Sequence, residues 1–253
     1  MKASAAIKMG AELAAGLANP KNWRTFHVAL QSRKMQPKGE CPICGYKGPF
    51  EAGGILMPRM NAVCPQCKSW ERNRLLRLAI GRGAVSFEGK RILHFAPEGA
   101  VKRFVDQSSY ADYTSADIEP GRAMRQVDIE AMNLEDGAFD VVLCSHVLEH
   151  VDHRKALAEM YRVLAPGGFA VLMFPIIEAW AKTYEDPRYQ GTPEDRIAHY
   201  AQDNHIKYFG RDIRDHIRTA GFDLEEFAAD GPDSARYALM RGETIFLARK
   251  AVR

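Results

Sequence analysis

Four of the five cysteines are arranged in two pairs with the spacing of a metal site. The pairs are CPICG at 41–45 and CPQC at 64–67, which gives the pattern C-x2-C-x19-C-x2-C. A two-residue gap allows both sulfurs of a pair to reach one tetrahedral ion, and a Gly- and Pro-rich stretch at 48–58 separates the pairs. The sequence therefore predicts a zinc ribbon, with iron in a rubredoxin-like site as the main alternative. The predicted ligands are Cys41, Cys44, Cys64 and Cys67.

An all-cysteine ligand set predicts a structural metal, because no coordination position remains for a substrate. Such an ion would stabilise a segment whose apolar core is too small to fold alone. Two disulfides are the less favoured alternative, since nothing marks the chain as secreted and Cys144 would remain unpaired. We expect Gly45 to supply a turn position in the first pair and Cys144 to be a buried strand residue.

A second cluster of reactive side chains lies in CSHVLEH at 144–150. It follows an apolar run, so Ser145 and His146 are expected at the carboxyl end of a strand, where open α/β sheets bind their ligands. His146 is the leading candidate for a general base, because the ordinary pKa of histidine suits proton removal near neutrality. The alternative is that His146 contacts a cofactor without proton chemistry. His150 is the weaker candidate for a base.

The elements around this cluster predict a parallel sheet. Residues 139–144 have the Val-rich composition of a strand buried on both faces, and 151–164 have the apolar spacing of a helix. The Pro-Gly-Gly sequence at 166–168 breaks that helix, and 169–174 form a second buried strand. Strand, helix and strand in this order form a βαβ unit with a right-handed crossover.

The motifs FDVV (139–142), VLEH (147–150) and RVLAPGG (162–168) resemble those of class I S-adenosylmethionine-dependent methyltransferases. The resemblance covers about two-thirds of the chain. It implies an α/β fold with a doubly wound, mostly parallel, seven-stranded Rossmann-like sheet, whose last two strands (223–227 and 244–249) are an antiparallel pair. It also implies S-adenosylmethionine as cofactor and methyl transfer as the reaction.

The first turn of the domain departs from the pattern of this family. Family members carry an acidic residue followed by G-x-G-x-G, whereas the equivalent positions here are His94, Ala96, Glu98 and Ala100. A glutamate at the second glycine position would have to turn away from the ligand or contact its amino group. Ala96 and Gly99 are small enough to keep close approach of the cofactor to the backbone possible.

The resemblance also implies cofactor contacts at the ends of the next strands. Asp117 follows the predicted second strand (110–116), where an acidic residue accepts hydrogen bonds from ribose hydroxyls; its alternative is to cap the following turn. Asp128, in the predicted third strand (126–129), is expected near the adenine amino group. The expected cofactor-binding residues are Ala96, Glu98, Gly99, Asp117, Ile118, Asp128, Ile129, Ser145 and His146.

The chain is predicted to have three parts: a helical segment at 1–36, the zinc ribbon with a linking helix at 37–87, and the methyltransferase domain at 88–253. Within the domain, 175–209 is long for a connection, and such segments are usually lids or binding loops. We therefore predict a substrate lid there. Its candidate recognition residues are Tyr184, Arg188, Arg196, His199, His205 and Tyr208.

Charge is distributed unevenly over the 253 residues, although the net charge is only +3. Residues 1–90 carry 15 Lys and Arg against 5 Asp and Glu, whereas 91–253 carry 20 against 27. This asymmetry predicts either an anionic partner such as RNA or packing of the basic part on the acidic part. On the helix expected at 69–82, four arginines lie off the apolar stripe and would either grip phosphates or be solvated. They are Arg72, Arg74, Arg77 and Arg82.

Three functions are compatible with the sequence. The first is methylation of a small-molecule or glycan (sugar) hydroxyl. The second is methylation of RNA, such as ribosomal RNA, held by the basic zinc-ribbon module, although CSHVLEH lacks the Asn/Asp-Pro-Pro-aromatic motif of exocyclic amine methylation. The third is a non-catalytic binding module. No apolar run approaches the ~20 residues that cross a bilayer, and we expect a cytoplasmic protein; the oligomeric state is not predicted.

Overall fold

The computed structural model describes residues 39–54 and 59–252, so the predicted helical segment at 1–36 lies outside the described residues. The described chain opens with two small antiparallel strand pairs. In the first, β1 (Gly39–Glu40) pairs with β2 (Lys47–Gly48). In the second, β3 (Glu51–Gly53) pairs with β4 (Arg59–Val63). Cys41 and Cys44 lie on the turn between β1 and β2, whereas Cys64 and Cys67 lie on the turn that follows β4.

Helix α1 (Glu71–Gly81) connects the cysteine-bearing strands to the main sheet. Trp70 immediately precedes the helix, and its N–H donates to the Asn73 side chain at 2.8 Å. Leu75, Leu76 and Ala79 are buried in the core that they share with the central sheet. The helix predicted at 69–82 is therefore confirmed, but it is part of the core of the domain that follows.

The central sheet has seven strands in the order β10-β11-β9-β8-β5-β6-β7. Strands β5 to β9 are parallel, and β11 is antiparallel to both of its neighbours. This arrangement confirms the predicted doubly wound, mostly parallel sheet with an antiparallel final pair. The strands are β5 (Arg91–Phe95), β6 (Asp112–Asp117), β7 (Arg125–Gln126), β8 (Phe139–Ser145), β9 (Leu164–Met173), β10 (Asp223–Ala228) and β11 (Thr244–Arg249).

Helices cover both faces of the sheet. Alternate strand residues serve the two cores: Leu93 and Val142 pack with α3 (His153–Val163) and α5 (Ile213–Thr219), whereas Ile92 and Val141 pack with α1 and α2 (Gly99–Val105). Burial on both faces is the reason for the Val-rich strand composition. The remaining helices are α4 (Pro193–Tyr200) and α6 (Gly231–Arg236), with 3-10 turns at Leu148–His150 and Pro187–Tyr189.

Two predicted boundaries differ from the structure. Helix α3 ends at Val163, and β9 begins at Leu164 instead of at 169, so the Pro-Gly-Gly sequence at 166–168 lies within the strand. The pairing of β8 with β9 is irregular there, between Phe139 and Val141. The predicted third strand at 126–129 is shorter, because β7 comprises only Arg125–Gln126.

The predicted lid at 175–209 has structure of its own. It contains a 3-10 turn and α4, and its ends are joined by a parallel bridge between Ile176 and Phe209. A second bridge joins Tyr184 to Tyr208, and the buried Tyr200 packs between these two aromatic rings. Among the described residues, no helix is long and apolar enough to cross a membrane.

Candidate functional site

The four predicted metal ligands converge on one point. Their ligand atoms lie within 4.8 Å of one another. The Sγ atoms of Cys41 and Cys67 are 3.6 Å apart, and those of Cys44 and Cys64 are 3.7 Å apart. Four thiolates at ~2.3 Å from one zinc ion would be separated by ~3.8 Å, so the sulfurs present fit a tetrahedral ion and are too far apart for disulfides.

The two cysteine turns have the same backbone hydrogen bonds. In the first, the N–H of Gly45 donates to the carbonyl of Cys41 at 2.9 Å; in the second, Lys68 donates to Cys64 at 2.9 Å. Both donors have positive φ, 76° at Gly45 and 58° at Lys68. The predicted turn at Gly45 is thus present. Its counterpart at Lys68 places a non-glycine residue in the left-handed region, where strain of about 1 kcal/mol is usual.

Arg74 holds the cysteine-bearing strands against the domain of the central sheet. Its guanidinium is completely buried and donates to five backbone carbonyls on both sides of this contact. The acceptors are Asn61, Ala62, Ser69, Tyr237 and Ala238. The prediction that Arg74 belongs to an exposed arginine surface is therefore wrong, because periodicity alone does not show that buried carbonyls need a donor.

The first turn of the domain has the backbone conformation that a glycine would favour. Ala96 follows β5 with φ of 46°, and its N–H donates to the carbonyl of Ala116 at 2.9 Å. A Cβ added at Gly99 would meet no atom within 4 Å, so the turn is open to close approach. The carboxylate of Glu98 instead accepts hydrogen bonds from Arg72 at 2.8 Å and Asn73 at 3.0 Å.

Two acidic residues lie at or just after the ends of the next two strands. Asp117 ends β6 and accepts the N–H of Glu119 at 2.9 Å. Asp128 follows β7 and accepts the N–H of Glu130 at 2.8 Å. The capping alternative raised for Asp117 is therefore part of its role. Of the hydrophobic neighbours predicted to contact the cofactor, Ile118 is 59% exposed, whereas Ile129 is buried in the core.

The end of β8 carries the reactive cluster that the sequence predicts. His146 has φ of 54°, and its N–H donates to the carbonyl of Met173 at 2.8 Å. Its Nδ1 lies 3.0 Å from Oε1 of Glu149, a carboxylate that is buried below it. Burial raises the pKa of Glu149, but its contacts with His146, His150 and the backbone together outweigh burial and hold that pKa below its usual value. Among the described residues, the buried hydroxyl of Ser145 has no hydrogen-bond partner.

The last part of the 175–209 segment packs against this cluster. The N–H of Ile206 donates to the carbonyl of Glu149 at 3.0 Å, and Nδ1 of His150 is 2.9 Å from the carbonyl oxygen of Asn204. His205 is buried, with its ring centroid 4.8 Å from that of His150.

The other predicted recognition residues make contacts within the segment itself. The hydroxyl of Tyr184 is 2.8 Å from Nδ1 of His199, and Arg188 pairs with Asp186 at 2.6 Å. Arg196 and Tyr208 likewise bond to residues of this segment, through the carbonyl of Gln190 and the backbone of Tyr184. Of the six candidates in 175–209, the structure therefore places His205 beside the cluster at the end of β8.

Sequence reasoning gave Glu149 no role, although its spacing contains a signal. Residues three apart on a helical turn face the same side, so His146 and Glu149 were candidates for contact. The 3-10 turn at Leu148–His150 brings them together.

Comparisons with known proteins agree with this geometry. Residues 88–172 match a family model described as a methyltransferase domain. The ubiquinone/menaquinone biosynthesis C-methyltransferase UbiE of Klebsiella pneumoniae (strain 342) is 37% identical over 115 residues, which are 40% of this chain and 46% of that protein. The chain thus spans about half the length of the curated relatives it matches.

Two solved structures share the fold. An S-adenosylmethionine-dependent methyltransferase from Mesorhizobium loti superposes with a TM-score of 0.50 at 16% identity, covering 70% of this chain and 98% of that one. The [4+2]-cyclase SpnF superposes with the same score and identity, covering 84% and 89%. At these identities the likeness shows the fold alone.

The sheet order, the motifs and the family match define the class of protein. Residues 88–172 belong to a methyltransferase domain, and the sheet has the order of the Rossmann-like methyltransferase fold that the sequence predicted; the four-cysteine cluster fits a zinc ribbon.

Proposed function

We propose that this protein transfers a methyl group from S-adenosylmethionine to a small-molecule or sugar hydroxyl. The observation that carries the proposal is the pairing of His146 with the buried Glu149 at the carboxyl end of β8, beside the cofactor turn and under residues 204–207. A hydroxyl must lose a proton as it is methylated, and this pair is placed to accept one.

The residues at the carboxyl edge fit the cofactor. Ala96 and Gly99 leave the first turn open, and the Ser145 hydroxyl, which has no partner in the described part of the chain, offers a hydrogen bond at the end of β8. Asp117 would accept hydrogen bonds from the ribose and Asp128 would face the adenine. When bound, the cofactor supplies an electrophilic methyl on a sulfonium, so that the protein contributes mainly position.

His146 would take the proton from the acceptor. The Glu149 carboxylate, 3.0 Å from Nδ1, favours the tautomer with its proton on that nitrogen and leaves the Nε2 lone pair free. When the acceptor hydroxyl is methylated, its proton would pass to Nε2 of His146. Glu149 then stabilises the imidazolium, as the carboxylate does in a catalytic triad.

Two variants separate cofactor binding from chemistry. We expect His146→Ala to retain S-adenosylhomocysteine binding in a calorimetric titration, with only the modest loss of affinity that follows from removing one cofactor contact, but to lose a factor of about 10²–10⁴ in kcat with its acceptor. Asp117→Ala should lose cofactor affinity instead. Unchanged turnover in His146→Ala would remove its role as base. A folded wild type that does not bind S-adenosylhomocysteine would favour the non-catalytic binding module.

The RNA alternative receives less support from the arrangement of charges. Arg72 pairs with Glu98, Arg82 pairs with Asp233, and Arg236 pairs with Glu40, so basic and acidic groups of the ribbon and the domain meet each other. RNA affinity that falls steeply with salt would restore this alternative. The division into parts at 1–36, 37–87 and 88–253, and the role of 175–209 as a substrate lid, remain proposals of the same kind.

A further inference from the structure

Three side chains of metal-binding type meet where residues 204–207 pack on the end of β8. They are Glu149, His150 and His205, and each offers one ligand atom within 4.8 Å of the other two. Glu149 is 1% exposed and His205 is 3% exposed. The cluster is therefore built into the interior of the domain, in contrast to an accidental group of surface residues.

The buried atoms of this cluster lack partners. Both carboxylate oxygens of Glu149 and Nδ1 of His205 are buried without a satisfactory hydrogen bond among the described residues. The contact of Oε1 with Nδ1 of His146, at 3.0 Å, is a charge contact that leaves acceptor positions of the carboxylate unused. Unsatisfied buried polar atoms cost about 1–3 kcal/mol each, and a buried carboxylate needs a compensating positive charge.

The hydrogen bond of His150 sets a tautomer that suits a metal ligand. Nδ1 of this histidine lies 2.9 Å from the carbonyl oxygen of Asn204. A carbonyl can only accept, so Nδ1 carries the hydrogen and the lone pair is on Nε2. Metal-binding histidines almost always donate their second ring nitrogen in this way, because the bond fixes both the tautomer and the orientation of the ring.

We propose that Glu149, His150 and His205 bind a divalent transition-metal ion of the zinc type. Two imidazoles and one carboxylate are a donor set that suits Zn²⁺, and three protein ligands leave a position for water. A contraction is needed, since ligand atoms around one zinc ion are ~3.4 Å apart. The ion would neutralise Glu149 and fasten residue 205 to the turn that follows β8.

Zinc stoichiometry tests this proposal on the untagged full-length chain after its cysteine site has been filled. Calorimetric titration of this protein with Zn²⁺, without S-adenosylmethionine, should show one further equivalent bound. The further equivalent should be absent in Glu149→Gln and in His205→Gln. His199→Gln is the matched control, because His199 belongs to the same 175–209 segment but lies outside the cluster. The zinc-induced rise in melting temperature should follow the same pattern.

Two results would overturn the proposal: no further zinc bound by the folded wild type, or a further equivalent that persists in both variants. If His205→Gln does not fold, His150→Gln replaces it, because His150 is only half-buried. This variant must then lose the further zinc equivalent. The inference does not rest on methyl transfer. A protein that binds zinc here but not S-adenosylhomocysteine would contradict only the proposed function.

Discussion

His94 shows how one residue of the altered first turn is used. His94 occupies the position at which class I methyltransferases carry an acidic residue. It lies in β5 and is 1% exposed. Its Nδ1 is 3.0 Å from the hydroxyl of Tyr113 on the neighbouring strand. Burial lowers the pKa of His94 to about 4, so the ring is neutral in the folded protein at physiological pH.

Acid should therefore destabilise the protein through His94. Its pKa is about 6.5 when unfolded and about 4 when folded, so the unfolded state takes up the proton first as the pH falls. This residue alone should lower the free energy of unfolding by about 2 kcal/mol between pH 7 and pH 5. Denaturant titrations should show that this loss is absent in His94→Gln and retained in Tyr113→Phe. Parallel stability curves for wild type and His94→Gln would contradict the assignment.

The sequence indicated which residues carry chemistry better than it indicated their partners. Cysteine spacing is a local signal, and the four sulfurs lie where it predicted. His205 could not be ranked, because its contact with Glu149 joins positions far apart in the chain and depends on how 175–209 folds. Arg74 was placed wrongly for the same reason, since its acceptors at Tyr237 and Ala238 come from the other end of the chain.

At the scale of elements, the start of β9 depends on a close backbone approach. A Cβ added at Gly168 would lie 2.9 Å from the carbonyl oxygens of both Ala165 and Asp140. Neither atom belongs to a flexible side chain, so β8 and β9 would have to separate. The glycine is thus required at the pairing irregularity between these two strands.

Gly168→Ala should lower the free energy of unfolding by about 2 kcal/mol, as overpacking typically does. Gly191→Ala is the matched control, because a Cβ there would meet nothing within 4 Å. Chemical denaturation of the two variants beside wild type measures the difference. Equal stability of both variants would show that β9 adjusts without strain.

The inner strands were predictable because burial on both faces leaves a continuous apolar run, as in 139–144. The start of β9 was not predictable in the same way. Pro-Gly-Gly at 166–168 signals a break in regular structure, but the same composition fits a turn before a strand and an irregular pairing within one. Register with β8 decides between them, and register is a tertiary property.

At the scale of the whole molecule, the cysteine-bearing strands are coupled to the cofactor turn. Arg72 and Asn73, at the start of α1, bond to Glu98, which precedes α2. Arg74, the next residue, is held by carbonyls of the cysteine-bearing strands at Asn61 and Ala62. One turn of helix thus contacts both the predicted metal site and the predicted cofactor site.

Removing zinc should consequently weaken cofactor binding as well as the ribbon. We expect chelation of the zinc-loaded protein to make residues 40–68 protease-sensitive and to reduce S-adenosylhomocysteine affinity about tenfold, with both effects reversed by added zinc. Calorimetry and limited proteolysis measure the two effects on the same sample. Unchanged affinity in a protein whose ribbon has become protease-sensitive would show that the contact at Glu98 does not couple the metal site to the cofactor site.

The bridge between Ile176 and Phe209 brings the two ends of the 175–209 segment together. The insertion leaves the sheet and returns to it at almost the same place, so its length hardly affects the geometry of β9 or α5. Replacement of 177–203 by a segment of another size would leave the sheet and the contacts of 204–207 with the end of β8 in place, because an insertion whose ends meet is exchangeable. If 175–209 is the proposed substrate lid, exchange of this one segment would change acceptor preference without rebuilding the sheet.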